Sequence, residues 1–381
     1  MANIKGKFDE KFARVAETLS QSLDCGDDIG ASASVFIDGE PVVDIWGGYF
    51  DSTFTREWGR DTIICCHSTT KTMTTIAALV AADRGLIDLD EKVAKYWPEF
   101  AQNGKENILV RHILGHSSGV AGWDEAMTWD DVYNLEYSIS LLEKQGPWWE
   151  PGTASGYHGV SIGHLVSGIL IRAAGKTLGQ YFADEVAGPL GADFHIGTGP
   201  DCDHRVAPFI RAVSDAVEPD NFVARRVVYN PDLTPETSSS VPFRRSENGG
   251  MGGHGNARAV AKIHSALVTD EVAGVRVLSK ETRERILETQ TNGLDLLMEF
   301  PVRWGLGFAL ETPLFANELG HRVAYWGGNG GSLGFVDFDE RMTVSFVMNR
   351  WIEGPYEQIR NLRILKAAYD SLETKSKTVA S

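Results

Sequence analysis

The chain opens on a helical period. Phe8, Phe12, Val15, Leu19 and Leu23 recur at intervals of three and four, so residues 1–27 read as one amphipathic helix. The period then shortens. Residues 32–37 and 42–46 are apolar, β-branched runs joined through Asp38-Gly39, the signal of a tight β-hairpin. Near the other end, residues 304–310, 321–325, 334–338 and 343–348 read as short strands between Gly and Asp turns, and a helix over 355–372 closes the chain. Between these β-rich ends the pattern is mostly helical, including residues 70–83, 110–114 and 161–173. Residues 198–248 show little periodicity and are expected as long loops over a cleft. The resulting expectation is an α+β fold, an antiparallel sheet flanked by helices. Residues 1–67 and 251–381 would form its sheet-containing domain, with a mostly helical domain, 68–250, inserted between the halves.

Composition narrows the chemistry. A chain of 381 residues with 43% hydrophobic and 23% charged positions can bury a sizeable core. A formal charge of -16 argues against nucleic acid or an anionic membrane as partner, since both require clustered Lys and Arg. No run approaches the ~18 apolar residues of a membrane span, and no basic start precedes an apolar stretch. Four cysteines (Cys25, Cys65, Cys66, Cys202) without a secretory signal fit a reducing, cytoplasmic setting rather than a disulfide framework. His112 and His116 have no Glu between them of the kind zinc peptidases use, so neither a metal nor another cofactor is expected. The expected partner is a small-molecule ester or acyl compound, and the oligomeric state stays open.

One segment stands out. Ser68-Thr69-Thr70-Lys71 follows the apolar run Ile63-Ile64-Cys65-Cys66 and opens an Ala-rich helix with Met73, Ile76 and Val80 on its apolar face. A serine at a helix N-terminus lies beside unpaired backbone N–H groups and the positive end of the dipole, where a developing oxyanion is stabilised. A lysine three positions later projects from the same face. It can take the serine proton only if burial or nearby positive charge depresses its pKa. An isolated Ser-x-x-Lys is a weak signal, met more often as an N-cap serine and a solvated lysine.

The flanking segments add to it. Ala82-Asp83-Arg84-Gly85-Leu86-Ile87-Asp88-Leu89-Asp90, then Val110-Arg111-His112-Ile113-Leu114-Gly115-His116-Ser117-Ser118-Gly119, follow in order. Pro151-Gly152 ahead of Tyr157, Gly188-Pro189-Leu190-Gly191 and Gly327-Gly328-Asn329-Gly330-Gly331-Ser332-Leu333-Gly334-Phe335 complete the series. Together they resemble the class C β-lactamase superfamily, with its penicillin-binding peptidases, family VIII carboxylesterases and fungal acyltransferases, over residues 30 to 350. The resemblance implies a β-lactamase/penicillin-binding-protein-like fold. It also implies Ser68, Lys71 and Tyr157 as catalytic residues, an oxyanion hole from the backbone N–H groups of Ser68 and Asn329, and substrate contacts at Trp326, Gly327 and Gly328.

Two departures bear on the substrate. Trp326 stands where the lactamases carry a cation, and Gly159 where they carry an asparagine amide, so contacts to a β-lactam carboxylate and amide are missing while acylation needs neither. Trp123, Trp148, Trp149 and Trp326 are expected to line the cleft and suit an apolar group. Ser117, Ser161 and Ser332 each satisfy Gly-x-Ser-x-Gly, but none has the strand, turn and helix context of that elbow. Cys65 and Cys66 read as buried fillers, and His158 receives no role. The expected activity is a serine carboxylesterase working through an acyl-serine. Acyl transfer to an alcohol or amine is the alternative, and a β-lactamase or a non-catalytic scaffold are lesser ones.

Overall fold

The computed structural model describes residues 2–211, 221–313, 315, 320–352 and 358–373. Its early strands are β1 (Lys5–Phe8), β2 (Gly30–Ile37), β3 (Glu40–Gly48) and β4 (Ile64–Cys65). The middle of the chain contributes β5 (Phe194–Ile196), β6 (Ile210–Arg211) and β7 (Gly253–Gly255). Then come β8 (Thr291–Leu294), β9 (Pro301–Trp304), β10 (Ala309–Glu311), β11 (Val323–Gly328), β12 (Ser332–Asp337), β13 (Met342–Met348) and β14 (Arg350–Trp351). Nine of these form one antiparallel sheet in the order β1-β3-β2-β13-β12-β11-β10-β9-β8, so the two ends of the sequence interleave at β2 and β13. Helices Ala13–Asp24 and Ile359–Glu373 pack against each other, the first also on β2 and β3 and the second on β13; helix Ala257–Ser265 packs on β2, β13 and β12. Helix Thr70–Asp83 runs between β11 and helix Ser161–Ala174, which places its first turn at the end of β11. The small sheet β4-β7-β5 ties the approach to that helix to the middle of the chain.

The hairpin forms as its turn residues require. Asp38 and Gly39 take φ of 52° and 81°, the left-handed pair of a two-residue loop, and Ile37 faces Glu40. The N-terminal helix is shorter than its stripe suggests. Residues 5–8 form an edge strand on β3, Gly6 has φ 110° outside helical space, and Phe8 is 44% exposed. Only from Ala13 does the helix run, burying Val15 and Leu19. Lys5 and Lys7 flank that Gly, a charge pattern that keeps an edge strand from pairing further.

The run 304–310 is two strands rather than one. A turn at 305–308 reverses the chain so that Ala309 pairs back on Trp304. The turn is apolar because it is buried: Gly307 donates to Leu114 O at 2.9 Å, and a Cβ there would lie 1.7 Å from Thr75 Oγ1. The strand expected at 321–325 lies at Val323–Gly328, which carries Trp326-Gly327-Gly328 into the sheet. Residues 198–248 are not simply loops. Their described part holds the 3₁₀ helix Pro200–Arg205, β6, and helices Phe222–Val228, Pro235–Ser238 and Val241–Arg245. Asn221, Thr234 and Ser240 cap the last three, with Pro at the start of two, but helices this short show no period. The start of the last helix, expected at Pro355, lies outside the described residues; Ile359–Glu373 is helical.

Candidate active site

Strand β4 ends three residues before Ser68, and a 3₁₀ turn, His67–Thr69, leads into helix Thr70–Asp83. That helix is buried almost throughout, and three of its threonines find partners inside the protein. Thr70 Oγ1 accepts from Gly253 N at 2.9 Å, Thr72 Oγ1 meets His264 Nε2 at 2.8 Å, and Thr74 donates to Gly249 O at 2.7 Å. Lys71 is wholly buried, with Nζ 3.2 Å from Ser68 Oγ and 2.6 Å from the carbonyls of both Gly159 and Gly250. Burial drives its amine well below the ordinary lysine value. A neutral amine has two protons and one lone pair. With both protons given to carbonyls, the lone pair is left for the Ser68 hydroxyl.

Tyr157 completes the group. Its ring lies beneath Lys71, 4.5 Å from Nζ to the centroid, and its hydroxyl accepts from Trp326 Nε1 at 2.9 Å. Trp304 stacks nearly parallel on Tyr157 at 5.9 Å and tilts against Trp326 at 4.7 Å. The whole is anchored by Asp295, a fully buried carboxylate. Its Oδ1 accepts from the backbone of Tyr157 (3.1 Å), Leu297 (3.0 Å) and Met298 (3.0 Å), and its Oδ2 from Trp304 Nε1 (2.9 Å). A carboxylate with several N–H donors can stay buried without a cation.

The end of β11 comes up against the nucleophile turn. A Cβ on Gly328 would lie 2.3 Å from Cys66 O and 2.9 Å from Ser68 N, so this close approach requires glycine. Asn329 follows at the cleft surface. Two cavities open on Ser68, Tyr157, Val228, Leu297 and Asn329. One, about 380 Å³, is walled by Met298, Phe300, Phe315, Tyr325, Trp326, Gly327 and Gly328. The other, about 460 Å³, has Trp129, Val160, Leu233 and Trp351 with Arg211 and Asp232.

The structure brings Ser68, Lys71, Tyr157, Trp326, Gly327, Gly328 and Asn329 to one cleft. Of the four tryptophans expected there, Trp326 lines it, whereas Trp123 is buried with its indole on Ser138 O, Trp149 bonds Ala154 O, and Trp148 bonds Asp124. Gly159 does more than lack an amide: its carbonyl holds Lys71, and a Cβ there would lie 2.6 Å from Val227 Cγ1. Ser117, Ser161 and Ser332 bond to backbone carbonyls of His112, Val120 and Cys66. Burial pushes the Cys65 thiol up to about 12, which makes it unreactive. His158, wholly buried, donates from Nδ1 to Gly156 O at 2.7 Å and meets Ser118 Oγ at 2.6 Å; burial lowers it to about 4. Among the described residues no cluster of three His, Cys, Asp or Glu could hold a metal. No helix of the described residues is long and apolar enough to cross a membrane.

Asp295 and the Trp326-to-Tyr157 bond escaped the sequence reading. Asp295 lies 138 positions from Tyr157, and no motif connects them.

Similarity to known proteins agrees with this geometry. The Beta-lactamase family model matches residues 15–369. A crystal structure of a family VIII carboxylesterase superposes with a TM-score of 0.90 at 34% identity, covering 97% of this chain and 100% of that one. Esterase/beta-lactamase LipL of Mycobacterium tuberculosis is 29% identical over 365 residues, 91% of this chain and 82% of LipL. Acyltransferase calJ of Penicillium decumbens is 25% identical over 74% of this chain and 68% of its own.

Proposed function

The chain belongs to the beta-lactamase family, and on that footing we propose that it is a serine carboxylesterase acting on small neutral esters through an acyl-Ser68 intermediate. The observation that carries this reading is the wholly buried Lys71 amine, 3.2 Å from Ser68 Oγ and held by two carbonyls. Neutral Lys71 takes the Ser68 proton as Oγ attacks the ester carbonyl. The backbone N–H groups of Ser68 and Asn329 stabilise the oxyanion. Tyr157, its hydroxyl held by the Trp326 indole, passes the proton to the departing alkoxide. Water then attacks the acyl-serine by the reverse proton path.

The apolar 380 Å³ cavity beside Trp326 and Tyr157 supports a neutral substrate, because no Lys, Arg or His is among the described residues that line it. The relatives' names, an esterase/beta-lactamase and a family VIII carboxylesterase, support an esterase. Acyl transfer is the second reading. The 460 Å³ cavity, with Arg211 and Asp232 at its wall, gives room for an acceptor beside Ser68. A cytoplasmic setting is supported by four free cysteines.

The test is hydrolysis of p-nitrophenyl esters with mass analysis of a phosphonate adduct. Turnover and a single adduct at Ser68 are expected, and Ser68→Ala should lose at least ~10³-fold in kcat/KM. An adduct on Ser117 instead would sink the assignment. Faster p-nitrophenol release on adding alcohols, with ester products, would favour transfer.

A further inference from the structure

The turn that joins β11 to β12 has its carbonyls taken by buried side chains. Asn329 O receives His67 Nδ1 at 2.8 Å, Gly330 O receives the Arg360 guanidinium, and Gly331 O receives Asn361 Nδ2 at 3.0 Å. These three residues are 1%, 3% and 0% exposed. On the opposite side, Ser332 Oγ donates to Cys66 O at 2.8 Å and meets Thr69 Oγ1 at 2.9 Å. The turn and the nucleophile segment are thus clamped together from both flanks.

His67 is the unusual member of the clamp. It immediately precedes Ser68, and its φ of 42° is left-handed, a conformation a non-glycine residue keeps only when its surroundings impose it. The surroundings do so here. The imidazole stacks on Phe209 at 4.7 Å and 7°, meets Trp351 edge-on at 4.7 Å, and sets Nε2 3.0 Å from Ser238 Oγ. A carbonyl only accepts, so Nδ1 carries the proton and Nε2 is the acceptor. Burial lowers the ring to about 4, and this neutral tautomer therefore persists at physiological pH.

We propose that His67 is the positioning residue of the oxyanion hole. Its backbone leads into Ser68 N–H and its imidazole holds Asn329 O, one peptide unit beyond the Asn329 N–H, so one residue ties together the segments that carry the two donors. The inference rests on Ser68 as nucleophile and on those two N–H groups as its oxyanion donors. Its chemistry is preorganisation: donors already aimed need no rearrangement as charge develops on the carbonyl oxygen.

Three variants separate the hydrogen bond from the backbone strain. His67→Asn offers an amide N–H near the place of Nδ1 and tolerates positive φ. His67→Gly accepts the same φ without a donor, and His67→Phe keeps the stacking without a donor. Each is compared with wild type for kcat and KM on p-nitrophenyl butyrate and for the rate of Ser68 labelling by a p-nitrophenyl alkylphosphonate. Gly and Phe should fall about 30-fold or more in kcat and labelling with KM within about twofold, whereas Asn should fall only a fewfold. Should Phe fail to fold, the Asn and Gly pair decides. Gly at the wild-type rate, or Asn as slow as Gly, overturns the role of His67. Wild-type protein that takes no label at Ser68 overturns the nucleophile assignment, and the inference with it.

Discussion

The two walls of the cleft solve the same electrostatic problem differently. On the helix wall, Lys71 is a cationic residue type made neutral by burial, its protons spent on two backbone carbonyls. On the strand wall, Trp326 is neutral by nature and offers one fixed N–H to Tyr157 Oη. A lysine on the strand wall would have brought a permanent charge that also attracts anionic substrates. The difference teaches that this site keeps its proton-handling groups uncharged at rest. On the proposed roles, charge appears on Lys71 and Tyr157 only as the reaction proceeds, which suits an ester without a carboxylate.

The helix wall should be the more costly to break. Lys71→Ala and Tyr157→Phe are each expected to lower kcat/KM by roughly 10²- to 10³-fold, several kcal/mol. The double variant should be little worse than either, because both residues act on one proton. Thermal melts must accompany the kinetics, since Lys71→Ala leaves two buried carbonyls without a donor. A fully additive double variant would separate the two residues into independent roles. The same wall sets the pH profile. With neutral Lys71 as the proposed base, activity is lost as pH falls through its lowered pKa, so kcat/KM should reach its plateau well below the ordinary lysine value of 10.5. A rate still climbing toward pH 10 would mean an ordinary lysine.

Acid should next loosen the junction between the walls. Burial holds His67 and His158 at about 4, below the ordinary histidine value of 6.5. Between these values the unfolded chain binds protons that the folded one does not. Their contribution is therefore complete above pH 6.5 and is lost as pH falls toward about 4, a few kcal/mol together. Urea midpoints measured at pH 7.5, 6 and 4.5 should decrease in that order. A flat series would show that these rings are not buried as neutral species.

The walls also differ in how far the sequence discloses them. Ser68 and Lys71 sit three apart on one helix, so local periodicity and the flanking segments suffice to place them together. The hairpin at Asp38-Gly39 is equally local, because two left-handed residues dictate its loop. Trp326 was legible as a replaced cation but not as a donor to Tyr157, since that bond spans 169 positions and depends on the strand continuing to Gly328. The turn at Gly307 hid inside an apolar run because Thr75 and Leu114 bury it. Phe8 joined the helical stripe by coincidence of spacing, while Gly6 against Asp44 O decided for a strand. Asp295 could be read locally only as a turn residue, since Leu297 and Met298 beside it give two of its four N–H groups; its anchoring role comes from Tyr157 N, 138 positions away, and Trp304 Nε1.

The smallest expected effect tests the strand wall alone. Trp326→Phe keeps an aromatic ring against Trp304 but removes the N–H that Tyr157 Oη accepts. One neutral hydrogen bond to a group that gains negative character is worth about 1 to 1.5 kcal/mol, so kcat should fall about tenfold, with KM changed less. A variant at the wild-type rate would reduce Trp326 to a wall of the cavity. Trp326→Lys sharpens the contrast, because it restores a donor to Tyr157 together with a charge. Its kcat/KM on p-nitrophenyl butyrate should remain below wild type, since an ammonium entering an apolar cavity is desolvated and displaces the indole from Trp304. Its kcat/KM on a cephalosporin relative to that ester should nevertheless rise about tenfold, because the substrate carboxylate gains a charge-assisted contact. An unchanged ratio would locate the neutrality of the site in Gly159 and the packing of Val227 against it, rather than in Trp326.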